Sequence, residues 1–189
     1  MEPLVALSVA REEFDRRLRA VTPGDWDRPT PCEDWTVRDL VVHVIYGARM
    51  SAALLEGASQ EEALGLVADA ELPADPVAAY AEAADLQAGA FAVPGALDRI
   101  CHHPAGEFPG AVVLNFRIGD HTMHAWDLAR AIGADETLNA DLVAHVWESI
   151  APMVPIMAST GRFGDGQSGT VGEDAPLQLR LLDATGRRP

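Results

Sequence analysis

Helix-forming residues fill every long segment of this chain, and that limits its folds more than any other feature. Ala, Leu, Glu and Arg carry the periodic stretches. Aromatic residues are only 6% of the sequence and β-branched residues are sparse, so strand propensity is weak throughout. A first helix is predicted from Leu4 to Ala20, with Leu4, Leu7, Phe14 and Leu18 at helical spacing. Thr22-Pro23-Gly24 ends it, and a Pro-rich connection runs to Trp35. Thr36 then reads as an N-cap, with Asp39 three residues on as a weakened capping box, opening a long second helix to about Glu56. Gln60 to Val67 suits a short extra helix, and Pro73 and Pro76 open a third long one to about Ala92. Four breakers before Pro109 (Pro94, Gly95, Pro104, Gly106) make Val93 to Gly110 mostly loop. Ala111 to Ile132 is the fourth long helix, stopped by Gly133, and Asn139 or Thr137 caps a fifth that ends near Ser159. The expectation is an all-α helical bundle with short accessory helices.

The 189 residues suit a single domain over 1–189, with a Gly-rich loop over 158–176 and a short terminal helix over 177–186, formed by Leu177 to Ala184 and closed by Gly186. Acidic residues outnumber basic ones 29 to 14, for a formal charge of −15, which argues against nucleic-acid and anionic-membrane partners. All 14 basic residues are Arg, which removes P-loop, Schiff-base and Ser-Lys chemistry. The two cysteines, Cys32 and Cys101, stand far apart, as in a reducing cytosol. Met1-Glu2-Pro3 lacks a signal-peptide start, and no stretch approaches the roughly 18 apolar residues of a membrane helix. A cytoplasmic protein is expected.

The informative segment runs from Phe116 to Leu128. Asp120 and His124 are four residues apart, about 40° apart on a helix turning about 100° per residue, and can converge on one atom. Val113 and Leu128 fall near the same stripe, so the pair faces the interior, where a carboxylate and an imidazole need partners. A divalent cation is one such partner. In the second helix, His43 interrupts the apolar run Val41-Val42-His43-Val44-Ile45; it is either a core histidine or a third ligand aimed into the bundle. Two imidazoles and one carboxylate would leave a coordination position open, the mark of a reactive site. His121, three residues from His124, is a sterically possible competitor.

Three longer stretches extend this pattern. Thr30-Pro31-Cys32-Glu33-Asp34-Trp35-Thr36-Val37-Arg38-Asp39-Leu40-Val41-Val42-His43-Val44 resembles the opening motif of the actinobacterial DinB-like metal-binding family. Asp120 to Gly133, with His-x-Trp-Asp-Leu-Ala-Arg-Ala-x-Gly, is similar to its second motif, and Ala175 to Pro189 to its C-terminal signature. The family includes the N-terminal domain of mycothiol-dependent maleylpyruvate isomerase. The resemblance implies a DinB-like four-helix bundle holding a divalent metal, usually zinc, and carries the ligand roles onto His43, Asp120 and His124. In the isomerase the carboxylate ligand is Glu, where this chain has Asp120. A second, C-terminal domain helps form the isomerase active site, so maleylpyruvate isomerisation itself is not carried over.

Other motifs have plainer readings. Gly164 to Gly169 satisfies GxGxxG, but it follows a helix rather than a strand and reads as loop. Cys101-His102-His103-Pro104 reads as a surface or site-rim loop, and Cys32, in the loop before His43, either as a small buried packing residue or as a neighbour of the metal site. Asp127 suits orienting a ligand or pairing with Arg130 or another Arg, and Asp39 either accepts the other ring N–H of His43 or complements its helix terminus. The expected function is a metal-dependent thiol S-transferase or isomerase-like enzyme, with mycothiol as cosubstrate and a small electrophile as substrate. The metal would make the cosubstrate sulfur a thiolate that attacks the electrophile. The alternatives are a non-catalytic metal-binding module or sensor, and a non-haem iron site, since two His and a carboxylate also suit Fe(II).

Overall fold

Thr36, Asp75 and Asn139 each cap a helix start with a side-chain oxygen, whereas the helices that begin at Pro3 and Gly110 have no side-chain cap. The computed structural model describes residues 1–68, 70–157 and 166–189. Helix α1 covers Pro3–Leu18, with proline in its first turn and Arg16 and Arg17 in its last. Helix α2, Val37–Glu56, starts at the expected capping box: the Asp39 N–H donates to Thr36 Oγ1 and the Thr36 N–H to Asp39 Oδ2. Helix α3 is Gln60–Ala68, and α4 is Pro76–Ala92, capped by Asp75. Helix α5, Gly110–Ile132, ends at Gly133, whose φ of 71° is the left-handed conformation that a Cβ would strain. Helix α6, Ala140–Ile150, is capped by Asn139. A single turn follows at Ala151–Met153, then α7 at Val154–Met157, and α8 covers Leu177–Ala184.

The long helices pack in a closed circuit: α1 lies against α5 and α4, and α2 against α4 and α5. Helix α5 is the buried member. Every residue from His121 to Ala129 is buried, so its polar side chains must find partners inside the protein. Around it the core gathers Phe14, Leu18, Leu40, Ile45, Leu54, Tyr80, Leu114, Ile118 and Trp126, each at most 2% exposed. Burying a side chain of this size is worth about 1.5–3 kcal/mol.

Two expectations are corrected. Residues 93–110 are not mostly loop: β1 (Ile100–His103) and β2 (Gly106–Pro109) form an antiparallel hairpin with Cys101 opposite Phe108 and His102 opposite Glu107. The chain is therefore mostly helical rather than purely so. The breakers Pro104 and Gly106 flank the turn, and four-residue strands are too short for alternation to stand out. The helix after Asn139 stops at Ile150 because Pro152 and Pro155 interrupt it, and its expected end near Ser159 lies outside the described residues. The first part of the 158–176 loop, including Gly164 and Asp165 of the GxGxxG match, lies outside them too.

Candidate metal centre

Residue 43 sits one turn beyond the α2 capping box, between the buried Leu40, Val41, Val44 and Ile45, and α5 carries Asp120 and His124 one turn apart. The circuit of helices brings all three together. His43 Nε2 lies 3.0 Å and His124 Nε2 3.5 Å from the same oxygen, Asp120 Oδ1. One donor atom from each of the three residues falls within 4.8 Å of the others. The two imidazoles meet edge to face at 5.0 Å, and Trp35, from the loop before α2, lies against both, 4.8 Å from the His43 ring and 5.8 Å from that of His124. The His43 side chain is 38% exposed and that of His124 9%, so the cluster opens to solvent on the α2 side.

Each buried member has a fixed partner on its far side. Asp120 Oδ2 is 2.9 Å from Arg117 Nη1, an ion pair made without hydrogen-bond geometry, and the Arg117 guanidinium also donates to the Val44 carbonyl. Burial opposes ionisation of Asp120, but Arg117 and the two histidines outweigh it and hold its pKa well below the carboxylate range. His124 Nδ1 is 2.9 Å from Asp127 Oδ2, which leaves Nε2 as the nitrogen facing Asp120. Burial disfavours the His124 cation, yet Asp120, with Asp127 on the other side, raises its pKa well above the ordinary value in the metal-free protein. Asp127, itself desolvated, is held down to about 2 by Arg187 and His124.

The structure separates the other candidates. His121 points away from the cluster. It is fully buried, with Nε2 3.0 Å from Gln87 Oε1 and Nδ1 3.3 Å from the Tyr80 hydroxyl, and desolvation lowers its pKa to about 3. The Asp39 carboxylate serves the Thr36 cap, which is the helix-terminus reading of that residue. His102 pairs with Glu107 on the hairpin, where Cys101 is buried, and neither belongs to a metal-capable group among the described residues.

Of the two readings of Cys32, the structure favours the one beside the cluster over the packing residue. The Cys32 Sγ lies 3.4 Å from Asp127 Oδ2 and 3.9 Å from His124 Nδ1. Cys32, His124 and Asp127 thus form a second metal-capable group, but the Arg187 guanidinium already occupies the Asp127 carboxylate, at 2.7 and 3.1 Å, which disfavours a further cation. Sequence reasoning missed Arg117, Arg187 and Trp35 at this site. Arg117, one helical turn before Asp120, carried a signal as the carboxylate's cation; Arg187 lies in the stretch that resembles the C-terminal signature, but nothing there says that it docks on Asp127.

Two long helices of a mostly helical protein thus bring two imidazoles and a carboxylate together in a group able to hold a metal ion. The chain belongs to the mycothiol maleylpyruvate isomerase N-terminal domain family, which matches residues 7–129. Two uncharacterized proteins of Mycobacterium tuberculosis, from strains CDC 1551 / Oshkosh and ATCC 25618 / H37Rv, are each 34% identical over 149 residues, 77% of this chain and 75% of theirs. The crystal structure of the mycothiol-dependent maleylpyruvate isomerase superposes with a TM-score of 0.63 at 20% identity, covering 91% of this chain and 72% of the isomerase chain. A point mutant of that enzyme superposes equally well at 19% identity. At that identity the likeness is one of fold.

Proposed function

We propose that this chain is a DinB-like four-helix bundle that holds a divalent metal, zinc, with His43, Asp120 and His124, and acts as a mycothiol-dependent S-transferase or isomerase-like enzyme on a small electrophile in the cytoplasm. The observation that carries the reading is the convergence of His43 Nε2 and His124 Nε2 on Asp120 Oδ1, with the three donors within 4.8 Å. Two imidazoles and one carboxylate fit zinc as a three-ligand set that leaves a position for a cosubstrate. Membership of a family named for a mycothiol-dependent isomerase supports a thiol as that cosubstrate.

Bound there, the metal supplies the Lewis acidity that keeps a thiol deprotonated near neutral pH. The protein's own groups do the rest. Arg117 holds the Asp120 carboxylate from behind, so that Oδ1 faces the imidazoles. Asp127 engages His124 Nδ1 and leaves Nε2 as the donor. Trp35 forms an apolar wall along both rings, and the exposed edge of His43 leaves the approach for a small molecule. Such a wall excludes water and restricts how the reactants meet.

Elemental analysis of protein purified without a metal-binding tag tests the ligand set. Zinc near one per chain, lost in His124→Ala, is expected; a mutant that keeps its metal overturns the assignment. Titrating mycothiol into the cobalt-substituted protein tests the chemistry. A change in the visible spectrum is expected for sulfur reaching the open position, whereas an unchanged spectrum on a loaded protein favours a non-catalytic metal-binding module.

A further inference from the structure

The Asp127 carboxylate is fully buried on α5, and its cation comes from the far end of the chain rather than from its own helix. Arg130, the nearer candidate, is turned elsewhere: its guanidinium lies over the Trp126 ring at 4.5 Å and grips both Glu136 oxygens at 2.7 Å. Arg187 takes its place, donating from Nη2 to Asp127 Oδ2 at 2.7 Å and from Nε to Oδ1 at 3.1 Å, a two-pronged contact that fixes the plane of the carboxylate. Its Nη1 donates to the Thr185 carbonyl at 2.8 Å, which anchors the guanidinium to the turn after α8. The side chain is only 11% exposed.

Asp127 Oδ2 therefore has two charged neighbours, Arg187 on one side and His124 Nδ1 at 2.9 Å on the other. A carboxylate held in this way has little freedom to rotate, and neither has the imidazole bonded to it. The family match ends at residue 129, so the arginine lies outside the matched residues. We propose that Arg187 is a positioning residue for the metal centre: acting through Asp127, it holds the His124 ring with Nδ1–H donated to the carboxylate and Nε2 turned to Asp120, so the C-terminal segment sets the centre's affinity. The inference rests on the reading of His43, Asp120 and His124 as metal ligands.

The test compares zinc affinity, by competition with a chromophoric chelator, in the wild-type protein, Arg187→Met, Arg187→Lys, Asp127→Asn and the Asp127→Asn/Arg187→Met double variant. Arg187→Met should weaken zinc about ten- to a hundredfold, the usual effect of losing a group that orients a ligand. Arg187→Lys should recover part of the loss, because it keeps the charge but not the fork. In the Asp127→Asn background, Arg187→Met should add little further loss, since the two act through one link. An equal loss in both backgrounds, or unchanged affinity in Arg187→Met, overturns the proposal. Should Arg187→Met fold poorly, Arg187→Lys decides: a loss of zinc affinity that disappears in the Asp127→Asn background upholds the proposal, and wild-type affinity overturns it. Failure of the wild-type protein to bind zinc would overturn the reading of the centre instead. The orientation is then read by proton NMR of the metal-free protein: a hydrogen-bonded His124 Nδ1–H resonance that is shifted or broadened in Arg187→Lys and lost in Arg187→Met upholds Arg187's hold on the ring, and a resonance unchanged in Arg187→Lys rejects it.

Discussion

His43 Nε2 on α2 lies 3.0 Å from Asp120 Oδ1 on α5, a contact between residues 77 positions apart that joins two of the long helices at the candidate centre. The same oxygen lies 3.5 Å from His124 Nε2. The His43 side chain is 38% exposed, so His43→Ala should cost the metal-free fold only about 1 kcal/mol. Zinc at a free concentration a hundredfold above its dissociation constant should stabilise the wild-type protein by about 2.7 kcal/mol, and a chelator should remove that gain. In His43→Ala the gain should nearly vanish. Thermal denaturation with and without zinc checks both; a mutant stabilised as much as the wild type would remove His43 from the centre.

His121 makes the metal-free protein sensitive to acid. Its imidazole titrates near 6.5 when unfolded, but desolvation beside Tyr80 and Gln87 depresses the folded value to about 3. Between those values the unfolded chain binds the extra proton, so stability is full above about pH 6.5 and falls as pH drops towards 3. The slope is at most about 1.4 kcal/mol per pH unit. The lowered carboxylates Asp120 and Asp127 add to this loss only below about pH 4, where unfolded aspartates protonate. His124, with its raised pKa, acts in the opposite range: its stabilisation is complete below about 6.5 and is lost as pH rises through the folded value. Urea denaturation from pH 6.5 to 4 should therefore show a falling stability that His121→Gln flattens. An equally steep fall in the variant would place the acid-sensitive group elsewhere.

What was legible in the sequence was local. The α2 capping box, the Gly133 stop of α5 and the Asn139 cap of α6 are each written within a few residues and appear as read. Asp120 and His124 were legible as a pair because helical periodicity alone puts them on one stripe, and His43 because a titratable group interrupted an apolar run. The hairpin was not, since Cys101 is the only buried residue in its eight paired positions and gives no readable alternation. That Cys32 and Arg187 meet at Asp127 is hidden for another reason. Their roles depend on two separate segments arriving at Asp127, and neither segment carries a periodic pattern that says where it docks.

Phe14 separates stability from site chemistry. It is 0% exposed on α1, with its ring 4.9 Å from that of Tyr80 and 6.3 Å from that of His121, on the side of α5 away from the metal cluster. Phe14→Ala should cost about 3–5 kcal/mol, the transfer energy of the ring plus the cavity it leaves. Zinc per folded chain should stay unchanged, because the ring's aromatic neighbours, Tyr80 and His121, are not among the three proposed ligands. Denaturant titration and elemental analysis of the same preparation check the two halves.

Gly47 is where the packing of α2 meets the electrostatics of α5. It lies one turn after His43, and a Cβ there would come within 2.6 Å of Arg117 Nη1 and 3.0 Å of its Cζ. The guanidinium is the movable end of a side chain, but it is 6% exposed and already committed to Asp120 Oδ2 and the Val44 carbonyl. Any retreat therefore loosens the carboxylate. Gly47→Ala should incur about 1–3 kcal/mol of overpacking, offset by the roughly 1 kcal/mol that alanine gains in a helix, so the net stability change should be small. The larger effect should fall on zinc, whose affinity should drop about tenfold or more as Asp120 loses its backing. Gly119→Ala is the control. It adds the same methyl group on α5 beside Asp120, but its nearest neighbours lie at 3.8 and 3.9 Å, ordinary contact distances. That variant should keep its zinc affinity and gain up to about 1 kcal/mol of stability. Equal zinc affinity in the two variants would show that Arg117 does not hold the ligand in place.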